Sequence, residues 1–256
     1  MKPLGIKAYG SIPHLPGSRL GPGDHTINPG QARLCTEGGK GRRVYVQEKI
    51  DGSCVAVLRQ GNELICLNRK GYDIRTGDNL NHLLFRDFIN HPRRTEALLA
   101  MLNDGERLVG EWIARVHGTK YPMGWPDWDE PFFAFDIMRG HDRLILDEFD
   151  DRNLASFEAT GWYIQTPRVV YDEEIGPELA WNILKENIVD GIDQGWCGEY
   201  EPEGLIYRVE HGTKVDFLAK WVRSDFGPGK YCQDGQEVWQ GVSVEDVERV
   251  RQEMKR

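Results

Sequence analysis

The sequence predicts an α+β protein with antiparallel sheets and flanking helices, not a doubly wound parallel sheet. Alternating, β-branched stretches bounded by turn residues recur along the chain, and segments of helical period fall among them without a regular β-α-β order. At 256 residues and 39% hydrophobic, with eight Trp, nine Tyr and nine Phe, the chain can bury a substantial core as one large domain or a domain with a small appendage.

Residues 1–42 are dense in Gly and Pro and read as an extended, loop-rich entry segment, not a helix. Strands are expected at Val44–Ile50, Ser53–Arg59 and Leu64–Arg69, the last two joined through Gly61-Asn62, which suits a hairpin turn. Leu108–Ile113, Pro131–Met138, Leu205–Val209 and Val215–Trp221 have the same character. Helical spacing of apolar residues marks 94–103, 147–160, 177–189 and 243–254, with Ser243 placed to cap the last. The sequence contains no internal repeat, low-complexity tract or evident interdomain linker.

A net charge of −9 and a pI near 5.3 argue against a general nucleic-acid coat protein, because affinity for a phosphate backbone comes from Lys and Arg displacing counterions. Contact with nucleic acid has to be local, through groups such as Arg42 and Arg43, Arg69 with Lys70 and Arg75, Arg93 and Arg94, or Arg115 with Lys120. No stretch approaches the ~18 to 20 apolar residues of a membrane span, and the N-terminus lacks the apolar core of a secretory signal. Cys35, Cys54, Cys66, Cys197 and Cys232 are odd in number and form no C-x-x-C pair, against both a disulfide framework and a zinc ribbon. A reducing cytoplasm, with no membrane partner, is expected.

Chemistry concentrates in Glu48-Lys49-Ile50-Asp51-Gly52-Ser53, which lies between two expected strands and so in a tight turn. A free lysine ionises near 10.4, so roughly one in a few thousand is neutral at pH 7 unless cations or desolvation lower its pKa. Covalent catalysis by lysine therefore needs positive companions and a metal. Gly52 would let the backbone turn sharply beside a phosphate, and Asp51 would orient that turn. Taken alone, however, K-x-D-G is better explained as a strand-end lysine followed by an Asp-Gly hairpin turn.

The segment resembles the nucleotidyl-acceptor motif of ATP-dependent ligases and capping enzymes, and segments similar to that family's other motifs follow in the family's order. Leu67-Asn68-Arg69-Lys70-Gly71 resembles the motif whose Arg contacts the nucleotide phosphate and the RNA end. Val109-Gly110-Glu111-Trp112 resembles the strand whose Glu binds the ribose, and Phe133-Ala134-Phe135-Asp136-Ile137 the segment whose Phe, directly before Asp, stacks on adenine. Glu203-Gly204-Leu205-Ile206-Tyr207 looks like the motif with the metal-binding Glu, and Phe217-Leu218-Ala219-Lys220-Trp221 like the strand whose Lys touches the α-phosphate. By spacing, and by the Glu before the Lys, the chain is most similar to the RNA-ligase-2-like group of covalent nucleotidyltransferases.

That resemblance implies an ATP-grasp-like adenylyltransferase domain over 1–223, two antiparallel sheets with the nucleotide pocket between them, and a short helical extension over 224–256. It implies ATP-dependent joining of 5'-phosphate and 3'-hydroxyl RNA ends, in a nicked duplex or a broken strand, through a lysyl-AMP intermediate. Lys49 and Lys220 would be catalytic. Glu48, Asp51, Gly52, Arg69, Glu111, Phe135, Asp136, Glu203 and Lys220 would contact the nucleotide, and Glu203 with Glu111 would hold Mg²⁺ or Mn²⁺. The physics is coherent with this: attack on the α-phosphorus needs charge on its oxygens neutralised, which Lys220, Arg69 and a metal supply. Mg²⁺ prefers oxygen ligands and keeps several waters, so one or two carboxylates suffice.

Single motifs also have plainer readings. Phe133 is expected in the core and Phe135 against the base, Gly110-Glu111-Trp112 reads equally as a strand with an exposed acid, and Glu203-Gly204 as a turn before a strand. Two positions depart from the family. The Lys-x-Lys of the last motif is Lys220-Trp221-Val222-Arg223, so the second cation is missing or replaced by Arg223, and Cys54 stands where Asn is common. Final sealing is thus less certain than self-adenylylation. Only 36 residues follow Lys220, fewer than an OB-fold domain needs, which favours RNA ligation over DNA ligation or GTP-dependent capping. A non-catalytic relative that binds RNA ends is the alternative from another class.

Overall fold

Two antiparallel sheets, flanked by helices, face each other across a cleft. The computed structural model describes residues 1–75, 79–123, 130–193, 200–232 and 237–255, with backbone alone over 189–193. Cys197 lies outside the described residues.

In the first sheet β1 (Arg42–Lys49) lies between β7 (Val169–Tyr171) and β8 (Gly204–His211), and β8 pairs in turn with β9 (Lys214–Val222). In the second the order is β3 (Glu63–Asn68), β2 (Ser53–Gln60), β4 (Arg107–Trp112), β5 (Phe132–Arg139) and β6 (Asp142–Arg143), again antiparallel throughout. The expected α+β class holds, and among the described residues neither sheet closes into a barrel. The hairpin between β2 and β3 turns through Gly61 and Asn62 as expected, with Gly61 at φ 59°.

Period-two alternation explains the layers. In β8 and β9, Leu205, Tyr207, Val209, Ala219 and Trp221 pack outward against α1 (Pro29–Glu37) and α5 (Pro177–Asp193), while Ile206, Arg208, Leu218 and Lys220 line the cleft. On the second sheet Val55, Val57, Leu108, Trp112, Phe132 and Ala134 face a core shared with α2 (Leu80–Ile89), α3 (Pro92–Met101) and α4 (Leu146–Thr160). Val247 and Val250 of α6 (Val244–Glu253) enter that same core, so the C-terminal helix packs onto the second sheet's helices. Ser243 caps α6, its hydroxyl accepting from the Asp246 N–H at 3.0 Å.

Four elements differ from the sequence expectation. The entry segment contains α1, started by the Asn28 side chain accepting from Gln31 N–H and by Pro29 in the first turn, signals outweighed by the surrounding Gly and Pro. The helix α2, capped by Asn79, buries Leu83, Leu84, Phe85 and Ile89. The strands β6 and β7 are too short, at two and three residues, to show alternation. The Asp-Gly hairpin is also replaced: β1 ends at Lys49 in one sheet and β2 starts at Ser53 in the other, so residues 50–52 carry the chain between sheets. Gly52 is required there by proximity rather than by a left-handed turn, since a Cβ would stand 2.6 Å from the Trp112 carbonyl oxygen. No helix among the described residues is long and apolar enough to cross a membrane.

Candidate active site

The cleft between the sheets holds a cavity of about 150 Å³ that opens to solvent. Lys49 lines it from the last position of β1. The register that pairs Lys49 with Gly204 sets the preceding Glu203 against the lysine, and Nζ lies 2.5 Å from Glu203 Oε2. Gly204 permits this approach of β8 to β9, because a Cβ would stand 2.0 Å from the Trp221 carbonyl oxygen. Burial alone would lower the Lys49 pKa, but Glu203, Glu111 and Asp51 outweigh it and hold the ammonium above its ordinary range. The surroundings therefore favour the protonated Lys49 amine, acids standing closer to it than the positive companions expected from the sequence.

Glu111 lies opposite, on β4, in register with Cys54 of β2, and both line the cleft. Burial pushes its carboxyl up to about 8 although Lys49 opposes the shift. Glu203 is raised for the same reason, again with Lys49 opposing. Lys49 thus favours the ionised form of both acids while burial opposes it. Among the described residues no cluster of three or more acids, histidines or cysteines could hold a metal by itself. The donor set fits the sequence reading of one or two carboxylates, Glu203 and Glu111, with the remaining ligands from water and phosphate.

Lys220 faces the cleft from β9, and burial first, then the like charge of Lys49, lowers its pKa. Arg69, just after β3, lines the mouth with its guanidinium on the Gly10 carbonyl and Ser11 Oγ, each at 3.2 Å. Arg223 does not replace the missing second lysine: its guanidinium is held by the Pro202 carbonyl, Glu201 and Asp225.

The segment with Phe135 has a local device. Gly110 pairs with Ala134 and Val109 with Asp136, which leaves Phe135 as a bulge residue. Strict alternation would send Phe135 and Asp136 to opposite faces, whereas here both line the cleft. Phe133 is 2% exposed in a cluster with Ile50, Ile113 and Tyr121, so it belongs to the core as expected. Asp136 is committed to structure: Tyr9 OH and Arg208 Nη1 donate to it at 2.7 Å, and Arg143 Nε at 3.2 Å. Asp51 is also a structural pin, its Oδ2 accepting from Gly118 and Thr119 N–H at 2.7 and 2.9 Å while Tyr121 OH meets its own N–H at 2.5 Å. It orients the loop 118–121 rather than facing into the cleft.

Glu48 lines the cleft beside Lys49 and is 1% exposed, yet neither carboxyl oxygen has a hydrogen-bond partner among the described residues. Burial raises its pKa to about 7, opposed by Arg168. A carboxyl raised above its unfolded value contributes stability present below about 4.5 and lost as pH rises through about 7. The shift corresponds to about 3 kcal/mol at high pH. Glu48→Gln is expected to melt several degrees higher than the unmodified protein at pH 8.5 and to show little difference at pH 5, measured by thermal unfolding at both.

Sequence reasoning missed Tyr9, Gly10, Ile12 and Arg208 as cleft residues. Arg208 had a signal, a charged residue in the middle of an apolar strand. The N-terminal residues had none, since they belong to irregular chain.

The RNA ligase family model matches residues 42–222. Among solved structures, a Naegleria gruberi RNA ligase variant with ATP and Mn is 18% identical, covering 72% of this chain and 51% of that one at a TM-score of 0.47. A variant of the same ligase with AMP and Mn is 18% identical, covering 85% and 60% at a TM-score of 0.48. The same ligase with PPi is 19% identical, covering 72% and 50% at a TM-score of 0.44. The chain thus spans about half the length of the first of these structures. No curated protein matches the sequence.

Proposed function

The chain belongs to the RNA ligase family, and on that premise we propose that it joins RNA 5'-phosphate and 3'-hydroxyl ends at the expense of ATP through a lysyl-AMP intermediate. The observation that carries the reading is Lys49 at the cleft wall, held 2.5 Å from Glu203 with Lys220 and Glu111 around it.

In the first step the neutral Lys49 amine attacks the α-phosphorus, a P–N bond forms, and the P–O bond to pyrophosphate breaks. The Glu203 carboxylate stands within hydrogen-bond distance to accept the lysine proton. Lys220 and Arg69 set positive charge where the phosphate oxygens gain negative charge. Phe135, turned into the cleft by its bulge, offers a face to the adenine, and the unpaired Glu48 carboxyl offers an edge to the base. A divalent ion, Mg²⁺ or Mn²⁺, would be held by Glu203 and Glu111 and supply further neutralisation of phosphate charge when bound. The AMP then passes to an RNA 5'-phosphate, the P–N bond breaking as a 5'-5' pyrophosphate forms. The neighbouring 3'-hydroxyl finally attacks the 5'-phosphate and releases AMP, a step that depends chiefly on alignment. The free thiols of Cys35, Cys54, Cys66 and Cys232 suit the reducing cytoplasm in which we place this reaction.

The test is incubation of the pyrophosphate-treated protein with α-labelled ATP or GTP and Mg²⁺, followed by a denaturing gel. Label from ATP is expected, then its transfer to a 5'-phosphorylated RNA nick in preference to a DNA nick. No covalent label sinks the ligase reading, label from GTP alone redirects it to capping chemistry, and preference for the DNA nick redirects it to DNA ligation.

A further inference from the structure

The N-terminal segment, which precedes the family match, is bound to β9 around Lys220. The Lys220 N–H donates to the Pro13 carbonyl at 2.9 Å, and the Leu15 N–H to the Lys220 carbonyl at 2.8 Å. A second pass of the same segment follows, His14 N–H donating to the His25 carbonyl at 2.9 Å and Ile27 N–H to the His14 carbonyl at 2.8 Å. This folding carries Asp24 to the lysine, with Oδ1 3.6 Å from Lys220 Nζ.

Behind Asp24 the side chains form one connected series. Its Oδ2 accepts from Gly21 N–H at 3.0 Å and lies 3.0 Å from His14 Nε2. His14 is 2% exposed, and its Nδ1 is 2.6 Å from Ser18 Oγ, which itself accepts from the Val222 N–H at 2.9 Å. The Asp24–His14 contact is a close charge approach outside hydrogen-bond geometry, whereas Nδ1 and Ser18 Oγ share a hydrogen bond whose donor is set by the ring tautomer. The series begins at Val222 and returns to β9 at Lys220.

We propose that Asp24, held by His14 and Ser18, is a positioning residue that fixes the Lys220 ammonium for nucleotidyl transfer. This rests on the assignment of Lys220 to the α-phosphate. With Arg223 engaged elsewhere, Lys220 is the one cation of its motif that faces the cleft, and a four-carbon stem leaves an ammonium poorly placed unless a counter-charge fixes it. Asp24 is 33% exposed, so substitution there is compatible with folding.

The experiment is single-turnover formation of the labelled protein over a range of ATP concentrations. Asp24→Asn keeps the side chain's shape and removes its charge. It is expected to slow labelling at saturating ATP about 10- to 100-fold while half-saturating ATP moves less than about threefold, with Asp24→Glu recovering most of the rate. On a Lys220→Ala background Asp24→Asn is expected to cost nothing further, because its effect runs through the lysine. A wild-type rate in Asp24→Asn, or the same fold loss with Lys220 already removed, overturns the role. If the unmodified protein takes no label at all, the ligase reading fails first and this role with it.

Discussion

Lys49→Ala protein is expected to take no label from α-labelled ATP, a loss of more than about 10⁴-fold, because it lacks the side chain proposed to form the P–N bond. Lys49→Arg is expected to fail equally. It keeps a charge opposite Glu203, so the comparison separates the need for a nucleophile from the need for a cation. Lys220 is no substitute, being occupied by Asp24 and placed on another strand. An RNA end already carrying the 5'-5' pyrophosphate has no further use for a covalent lysine, so sealing of such an end by Lys49→Ala is expected to fall far less. Labelling of Lys49→Ala near the unmodified rate would move the nucleophile to another residue.

Arg208→Met is expected to cost about 3 to 5 kcal/mol, the range for removing one partner of a buried ion network. Arg208 is 2% exposed on the first sheet; it donates to Asp136 of the second at 2.7 Å and to Glu210 at 2.6 Å, with the Leu144 carbonyl as a further acceptor. Its loss leaves two buried carboxylates with too few partners, although Tyr9, Arg143 and Leu146 N–H remain. For a chain of this size the midpoint of thermal unfolding should drop by about 10 °C. Adding Asp136→Leu removes one stranded charge and should restore part of the loss. A drop below about 2 °C would mean that the network contributes no net stability.

The sequence disclosed the strands best where a regular period met a long element. β1, β2, β3, β4, β5, β8 and β9 were all anticipated within a few residues, because Val, Ile and Leu alternate along them. It also marked the residues that meet in the cleft: Lys49, Arg69, Glu111, Phe135 and Lys220 arrive there from five separate segments. What stayed hidden depends on pairing partners that one sequence does not state. The Phe135 bulge exists only relative to β4, and the crossing at 50–52 only because β1 and β2 join different sheets. Asp136 and Asp51 show the same limit from the other side. Both sit in motif positions, yet their carboxylates are engaged with Arg208 and with the 118–119 amides. His14 and Asp24 lie in irregular chain, where no period ties a residue to a face.

The crossing at 50–52 divides the chemistry between two bodies. Lys49, Glu203 and Lys220 ride on or beside adjoining strands of one sheet, while Glu111, Arg69 and Phe135 ride on or beside the other. A rigid displacement of either sheet therefore leaves the spacing within each trio unaltered and changes only the gap between trios. The Asp136–Arg208 contact at 2.7 Å is a direct tie between the two sheets that carry these trios.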